Sequence, residues 1–225
     1  MITIAIDGPV GAGKSSLSDA VADKLNILHL DTGAMYRAVG LAALQNGIDP
    51  RDEHAVSVLC EAGKAQVDVL YHDKQQITLL NDQDVSSLIR TEEVGLAASA
   101  VSRYAGVRHY LVSLQRQIAE NTDILLDGRD IGTVVLPDAA VKIFLTASPE
   151  ARAKRRLLQL QKAGKSACFK QVLEDLNKRD EQDRTRAVDP LRKADDAIVL
   201  DTSEMDFDQS VSAILSIVEA VYAKQ

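Results

Sequence analysis

A glycine-rich stretch, GPVGAGKS at Gly8–Ser15, stands between an apolar run and a helical pattern, and it limits the fold more than any other segment. It matches G-x-x-x-x-G-K-[ST] in full. The spacing has a physical reason. Gly8, Gly11 and Gly13 let the backbone turn tightly and bring N–H groups against phosphate oxygens. The N-terminus of the helix that follows adds partial positive charge. Such a loop needs a strand to deliver it and a helix to leave it. Both are expected, from ITIAI (2–6) and from the pattern of Lys14–Leu25. Lys14 would reach the β- and γ-phosphates, and the Ser15 hydroxyl would ligate Mg²⁺. Gly8, Pro9, Val10, Gly11, Ala12, Gly13, Lys14, Ser15 and Ser16 are therefore the expected triphosphate site. The motif implies a nucleoside triphosphate and leaves open what is done with it.

Four more short runs read as strands: ILHL (27–30), ILL (124–126), VKIFLT (141–146) and AIVL (197–200). They are almost wholly apolar, as strands buried on both faces are. Helical patterns alternate with them at Lys14–Leu25, Met35–Asn46, Val107–Glu120, Pro149–Ala163, Phe169–Asp183 and Asp206–Ala223. Ser148 before Pro149 reads as a helix N-cap. The alternation predicts an α/β protein with a five-stranded parallel sheet and helices on both faces. One segment, from about Glu61 to Ala97, departs from it. There HDKQ and ND are turns between short strands, which predicts a small antiparallel insert.

The 225 residues are 46% apolar, which supports one substantial core, and the net charge is −7. An acidic chain is a poor nucleic-acid coat, so no nucleic-acid partner is expected, and any phosphate site must concentrate its positive charge locally. Cys60 and Cys168 have no metal spacing and read as thiols of a reducing compartment. No apolar run approaches the ~20 residues of a membrane span, and no signal-peptide pattern opens the chain. A soluble cytoplasmic protein without membrane contact is expected.

In a parallel sheet, strand C-terminal ends share the ligand-binding edge. LDTGAMYR (30–37) after the second strand and DGRDIG (127–132) after the third therefore bring Asp31, Thr32, Arg37, Asp127, Arg129 and Asp130 to the side of the phosphate loop. Asp127 stands where a strand-end carboxylate holds Mg²⁺, often through water. A further stripe runs Phe169, Val172, Leu176, Arg179, Asp183, Arg186, spaced 3, 4, 3, 4, 3, so its charges continue an inward helix face. Asn177, Lys178, Glu181 and Gln182 fall largely off the stripe and are expected in water. Arg152, Arg155 and Arg156 share one face of their helix, either as a solvated basic face or as lid residues reaching phosphates.

Together GPVGAGKS, LDTGAMYR, DVSSLIRTEEVGLAAS, DGRDIGTVVLPDAAVKIFLTAS and KRDEQDRTRAVDPL resemble the bacterial cytidylate kinases, nucleoside monophosphate kinases of the P-loop class. The resemblance covers essentially the whole chain. It implies transfer of the γ-phosphoryl of ATP to CMP or dCMP, with Mg²⁺, by a monomer. It also implies a division into core (1–60), monophosphate-binding insert (61–97), core (98–150), lid region with its flanking helices (151–186) and core (187–225), with a short lid at Leu160–Ala167. By resemblance, Arg37, Arg129 and Arg179 bind the acceptor phosphate, and Ser99, Arg108 and Asp130 read the cytosine. Thr32 and Asp183 hold the sugar, and Arg186 reaches the moving phosphoryl. Lys14, Arg129, Arg179 and Arg186 are then the catalytic set. Thr32 stands where the family commonly has Ser; the hydroxyl is kept, but its methyl could crowd the sugar. Ser99 could instead simply pack a helix.

The base-reading trio makes chemical sense. A carboxylate accepts from cytosine N4–H₂ and an arginine donates to its acceptors, whereas uracil would set O4 against the carboxylate. Two other readings stay open: a kinase of the same build for UMP or a sugar acid, and a nucleotide-dependent switch. An arginine-rich acceptor pocket disfavours the switch.

Overall fold

A computed structural model describes residues 1–162 and 164–223. Ala163, the end of one expected helix and a residue of the expected lid, lies outside the described residues, as do Lys224 and Gln225. The elements are β1 (Thr3–Asp7), α1 (Lys14–Leu25), β2 (Leu28–Asp31), α2 (Thr32–Gln45), α3 (Glu53–Glu61), β3 (Val67–His72), β4 (Gln75–Leu80), β5 (Gln83–Asp84), α4 (Glu92–Val101), α5 (Ala105–Ala119), β6 (Ile124–Gly128), β7 (Val141–Thr146), α6 (Pro149–Lys162), α7 (Phe169–Thr185), β8 (Ile198–Asp201) and α8 (Phe207–Tyr222). The larger sheet has the strand order β2-β6-β1-β7-β8, with its strands parallel, and the smaller has the order β3-β4-β5. The five expected strands are all present, and the alternation of α and β is as expected. No helix among the described residues is long and apolar enough to cross a membrane.

Two compact units divide the chain: Met1–Ile27 with Asp123–Gln225, and Leu28–Thr122. In the first, β1 lies between β6 and β7 and is parallel to both, with Asp7 opposite Gly128 on one side and Phe144 on the other. This register brings the C-terminal ends of β1 and β6 side by side, where the Gly8–Ser15 loop leaves β1. Ile4, Ile6, Leu125, Val141, Ile143 and Leu145 of the sheet pack with Leu17 and Val21 of α1 and with Val211, Ile214 and Val218 of α8. Continuous apolar strands need cover, and these two amphipathic helices supply it. Ser148 caps α6 as expected, its Oγ accepting from Ala151 N at 3.2 Å.

In the second unit the expected antiparallel strands are two tight hairpins. Asp73 and Lys74 turn β3 into β4, and Asn81 and Asp82 turn β4 into β5, all four at positive φ. Paired positive φ values over two residues match the right-handed twist of the strands. The strands stop at Asp84, sooner than expected. Thr91 caps α4, its Oγ1 accepting from Val94 N at 3.3 Å, so the stretch up to Ala97 is helical rather than extended. The cap accounts for the difference, because a Thr followed by two Glu favours a helix start whatever the strands before it do. α2 and α4 approach closely at Gly40, where a Cβ would stand 2.8 Å from Ala98 N and 3.0 Å from Ala97 Cβ.

That contact leaves no room for a methyl group. Gly40→Ala is expected to destabilise the protein by about 1–3 kcal/mol, because it forces α2 and α4 apart. Urea unfolding checks this, and a variant as stable as the parent would show that the two helices separate freely.

Candidate active site

The phosphate loop is shaped by contacts that only glycine permits. Gly8 lies so close to β7 that a Cβ would sit 1.9 Å from Leu145 O. Gly11 and Gly13 have φ of 74° and 89°. Gly13 caps α1 without a side chain, which leaves the first-turn N–H groups to an anion. Lys14 is buried, and its Nζ donates to Gly8 O at 2.8 Å and Pro9 O at 2.9 Å. Burial pushes its pKa down to about 7, and the Arg129 charge pushes the same way. Asp127, Asp183 and Asp7 act against them. Ser15 Oγ donates to Asp127 Oδ2 at 3.0 Å, so the two expected metal ligands are already neighbours. Ser16 is exposed. A hydroxyl beside a carboxylate is a hard-oxygen donor pair that suits Mg²⁺ held jointly with phosphates. Among the described residues no cluster of three or more His, Cys, Asp or Glu could cage a metal alone.

Sequence reasoning missed Asp7. The strand was expected to end at Ile6, yet Asp7 is its last residue and is buried. Its Oδ1 accepts from Ile131 N and its Oδ2 from Gly132 N, each at 2.7 Å. These bonds fix the start of one wide helical turn, Ile131–Val135, directly after Arg129 and Asp130. Burial lifts the Asp7 pKa to about 6, and the two N–H bonds offset part of the rise.

The strand-end charges and the α7 charges meet as two ion pairs. Arg129 Nε donates to Asp183 Oδ2 at 2.8 Å. Arg186 pairs with Asp130 Oδ1 at 3.1 Å, and its Nε donates to Asp189 O at 2.7 Å. Burial tends to raise the Asp183 pKa, but Arg129, then Arg179 and Arg186, hold it below the usual carboxylate range. Burial tends to lower the Arg129 pKa, but Asp183, then Asp127 and Asp180, hold it above its ordinary value. The stripe therefore faces inward as expected; Asn177, Lys178 and Glu181 are exposed as expected, whereas Gln182 is half-buried. Its end differs: α7 stops at Thr185, and Arg186 caps it in extended backbone. Among the described residues Asp130 and Asp183 are met by arginines as well as standing where a ligand was expected.

A second residue missed on α7 is Asp180, one turn after Leu176 and buried. It pairs with Arg152 at 2.6 Å. The three α6 arginines thus separate. Arg152 is buried; Arg155 donates to Thr202 Oγ1 at 3.1 Å and to Ala12 O at 3.4 Å; only Arg156 is exposed. The solvated-face alternative holds for Arg156 alone.

In the unit Leu28–Thr122, Asp31 caps α2, accepting from Ala34 N at 3.1 Å, and pairs with Arg90 at 3.0 Å. Thr32 is buried in the first turn of the same helix. Arg37 NH1 donates to Ile89 O at 2.9 Å and to Thr91 O at 3.3 Å, beside α4. Arg108 on α5 is 1% exposed and stands over the Tyr36 ring at 5.6 Å, with NH1 donating to Ser102 O at 3.2 Å. Ser99 is half-buried on α4, and its carbonyl accepts from Ser102 Oγ at 3.1 Å. One helix–helix layer thus carries Thr32, Arg37, Ser99 and Arg108.

Residues 4–220 match the cytidylate kinase family profile. The cytidylate kinase of Mycolicibacterium paratuberculosis is 49% identical over 96% of this chain and 95% of its own length. That of Carboxydothermus hydrogenoformans is 46% identical over 96% of each chain. In fold, the chain is similar to a crystal structure of an uncharacterized protein from Eubacterium ventriosum, with a TM-score of 0.56 at 12% identity, covering 98% of this chain and 99% of that one.

Asp7 makes a pH prediction. Its folded pKa of about 6 lies above the ordinary 3.8, so its share of stability is complete below the ordinary value and is lost as pH rises through about 6. Asp7→Asn should remove that loss. The stability difference between parent and variant is expected to move by on the order of 2–3 kcal/mol against the parent between pH 4 and pH 7. Urea unfolding at the two pH values measures it, and parallel behaviour would contradict it.

Proposed function

The chain belongs to the cytidylate kinase family, whose reaction is the phosphorylation of CMP and dCMP, and we propose that the side chains above divide that work between them. ATP is the donor, and its γ-phosphoryl passes to a phosphate oxygen of the acceptor. The bond to the β-phosphate oxygen breaks as the new P–O bond forms, leaving ADP and CDP or dCDP. A phosphomonoester has its second pKa near 6, so the acceptor oxygen is already ionised at neutral pH and needs no general base. The histidines fit this: His54, His72 and His109 are exposed, and His29 is buried in β2. Catalysis is then alignment and charge neutralisation.

Gly8, Pro9, Val10, Gly11, Ala12, Gly13, Lys14, Ser15 and Ser16 would surround the triphosphate. Ser15 and Asp127 would hold Mg²⁺, the latter through water, and the ion would supply neutralisation of phosphate charge. Arg37, Arg129 and Arg179 would bind the acceptor phosphate, Ser99, Arg108 and Asp130 the cytosine, and Thr32 and Asp183 the sugar. Arg186 would meet the moving phosphoryl. Arginine suits these tasks because its planar fork stays charged and binds phosphate bidentately. The segment 61–97 would serve as the monophosphate-binding insert, and 160–167 as a lid that excludes water on closing. We read the protein as a cytoplasmic monomer, and both cysteines are free, which fits a reducing compartment.

The observation that carries this reading is the pair of ion contacts, Arg129–Asp183 and Asp130–Arg186, built around a buried Lys14. Because Arg186 pairs with Asp130, replacing Asp130 disturbs both the base reader and a phosphoryl arginine. The informative readout is therefore a ratio of substrates rather than a rate.

In an ADP-release assay with CMP, dCMP, UMP and AMP, kcat/KM should favour CMP over UMP by about 1–3 kcal/mol. Asp130→Ala should collapse that preference while the KM for ATP stays near its original value. A preserved ratio in Asp130→Ala would remove Asp130 from base reading, and CMP no better than AMP would overturn the whole cytosine assignment.

A further inference from the structure

We infer that Asp180 and Arg152 are positioning residues that hold the crest of the phosphate loop ready for the triphosphate. The inference rests on the reading of Gly8–Ser15 as the ATP site. Three groups form a closed ring of contacts. Val10 N donates to Asp180 Oδ1 at 3.2 Å, Arg152 NH1 meets Asp180 Oδ2 at 2.6 Å, and the same NH1 donates to Val10 O at 2.9 Å. Arg152 Nε is anchored in turn on Ala147 O, at 3.0 Å, at the end of β7. Both side chains are about as buried as core residues, at 3% and 5% exposure. An apolar layer lies beside the ring. Val10 packs on Ala153 of α6 and on Val172 and Leu176 of α7. A Cβ on Gly11 would stand 3.4 Å from Leu176 Cδ2 and 3.5 Å from Arg152 Cβ.

The physics of the loop explains why such a clamp matters. Glycines at positive φ free the backbone to bring its N–H groups together, but they also leave it many other conformations. N–H dipoles that converge on one point repel one another until an anion arrives. Side chains cannot restrain glycine residues directly, so restraint has to grip the backbone. Here both backbone polar groups of Val10 are taken up, one by a carboxylate and one by a guanidinium. Val10 then lines the triphosphate site without donating to it and is the fixed point from which Gly11–Ser15 curve. The carboxylate of the clamp stands on α7, the helix that carries Arg179 and Asp183 and is capped by Arg186. The donor loop and the arginine-bearing helix are thereby held in one register. A buried ion pair is weak evidence of stability in its own right, since apolar side chains of similar size often serve as well. The contacts with Val10 are what apolar side chains could not supply.

The test uses Asp180→Asn, Arg152→Lys and the double variant Arg152→Met with Asp180→Leu. The double variant strands no charge, so folding should survive, while the N–H and C=O of Val10 both lose their partners. All three should raise the KM for ATP, by about 10–100-fold in the double variant, with the KM for CMP close to the original value. Arg152→Lys should retain more of the ATP affinity than the double variant, because an ammonium still neutralises Asp180. Variants that melt like the parent and keep its ATP KM would overturn the inference, and so would equal rises for ATP and CMP, which mark a general loss of structure. Hydrogen exchange on the unaltered enzyme gives an independent measurement. The Val10 amide should be protected both with and without ATP, and exchange at the rate of an exposed loop would also overturn the inference. Titration of the unaltered enzyme with ATP tests the site assignment itself, so failure of that reading is distinguishable from failure of the clamp.

Discussion

Arg129 and Asp183 meet at 2.8 Å with side-chain exposures of 22% and 8%, and much else in the site is set by that contact. It joins the turn after β6 to α7. It helps hold the Asp183 carboxyl below its ordinary range and the Arg129 guanidinium above its own. Both charges also act on Lys14, in opposite senses, beside the larger effect of burial. A site for two nucleotides must gather positive charge, and gathered positive charge repels itself. Placing a carboxylate beside each of two arginines, Asp183 at Arg129 and Asp130 at Arg186, contains that repulsion. The carboxylates are not spectators in this reading, because the same oxygens would meet sugar and base.

Buried charge explains the rest of the local architecture. Removing a carboxylate from water is costly unless donors replace the water. Asp7 is met by two backbone N–H groups, and Asp180 by a guanidinium and a backbone N–H. Each of these carboxylates thereby ties a loop to a distant element: the turn after Asp130 to β1 in one case, the crest of the phosphate loop to α7 in the other. The net charge of −7 is compatible with phosphate chemistry for the same reason. The positive field is local, and the acidic surplus lies elsewhere or is already paired.

How much of this was legible in the sequence depends on the kind of signal. Five apolar runs and the loop between the first of them and α1 carried the α/β fold, because strands buried on both faces have few alternative readings. Turn chemistry at HDKQ and ND carried the hairpins. The stripe from Phe169 carried the inward aim of Arg179 and Asp183, since helical spacing projects one face. Asp7 and Asp180 were not legible. Asp7 is one more residue than the apolar run suggests, and its partners, Ile131 and Gly132, are backbone groups more than a hundred residues away. Asp180 is adjacent to the stripe and shares its charge run with residues that are in fact solvated. Its burial and its long-range contacts with Arg152 and Val10 N separate it from the exposed Glu181. α3 and α4 were both missed, although each opens at a side-chain cap, Asp52 and Thr91. Pairing between like-looking charges at long range has no periodic signature, and that is where sequence reasoning ran out.

The central claim is that the arginines and carboxylates of the site act as one paired network. A double-mutant cycle on Arg129→Ala and Asp183→Ala, read as kcat/KM for CMP, tests it most directly. The account predicts strong non-additivity: the double variant no worse than the poorer single variant, with a coupling of about 1–3 kcal/mol. Additive losses would show that Arg129 and Asp183 act separately and would contradict the account.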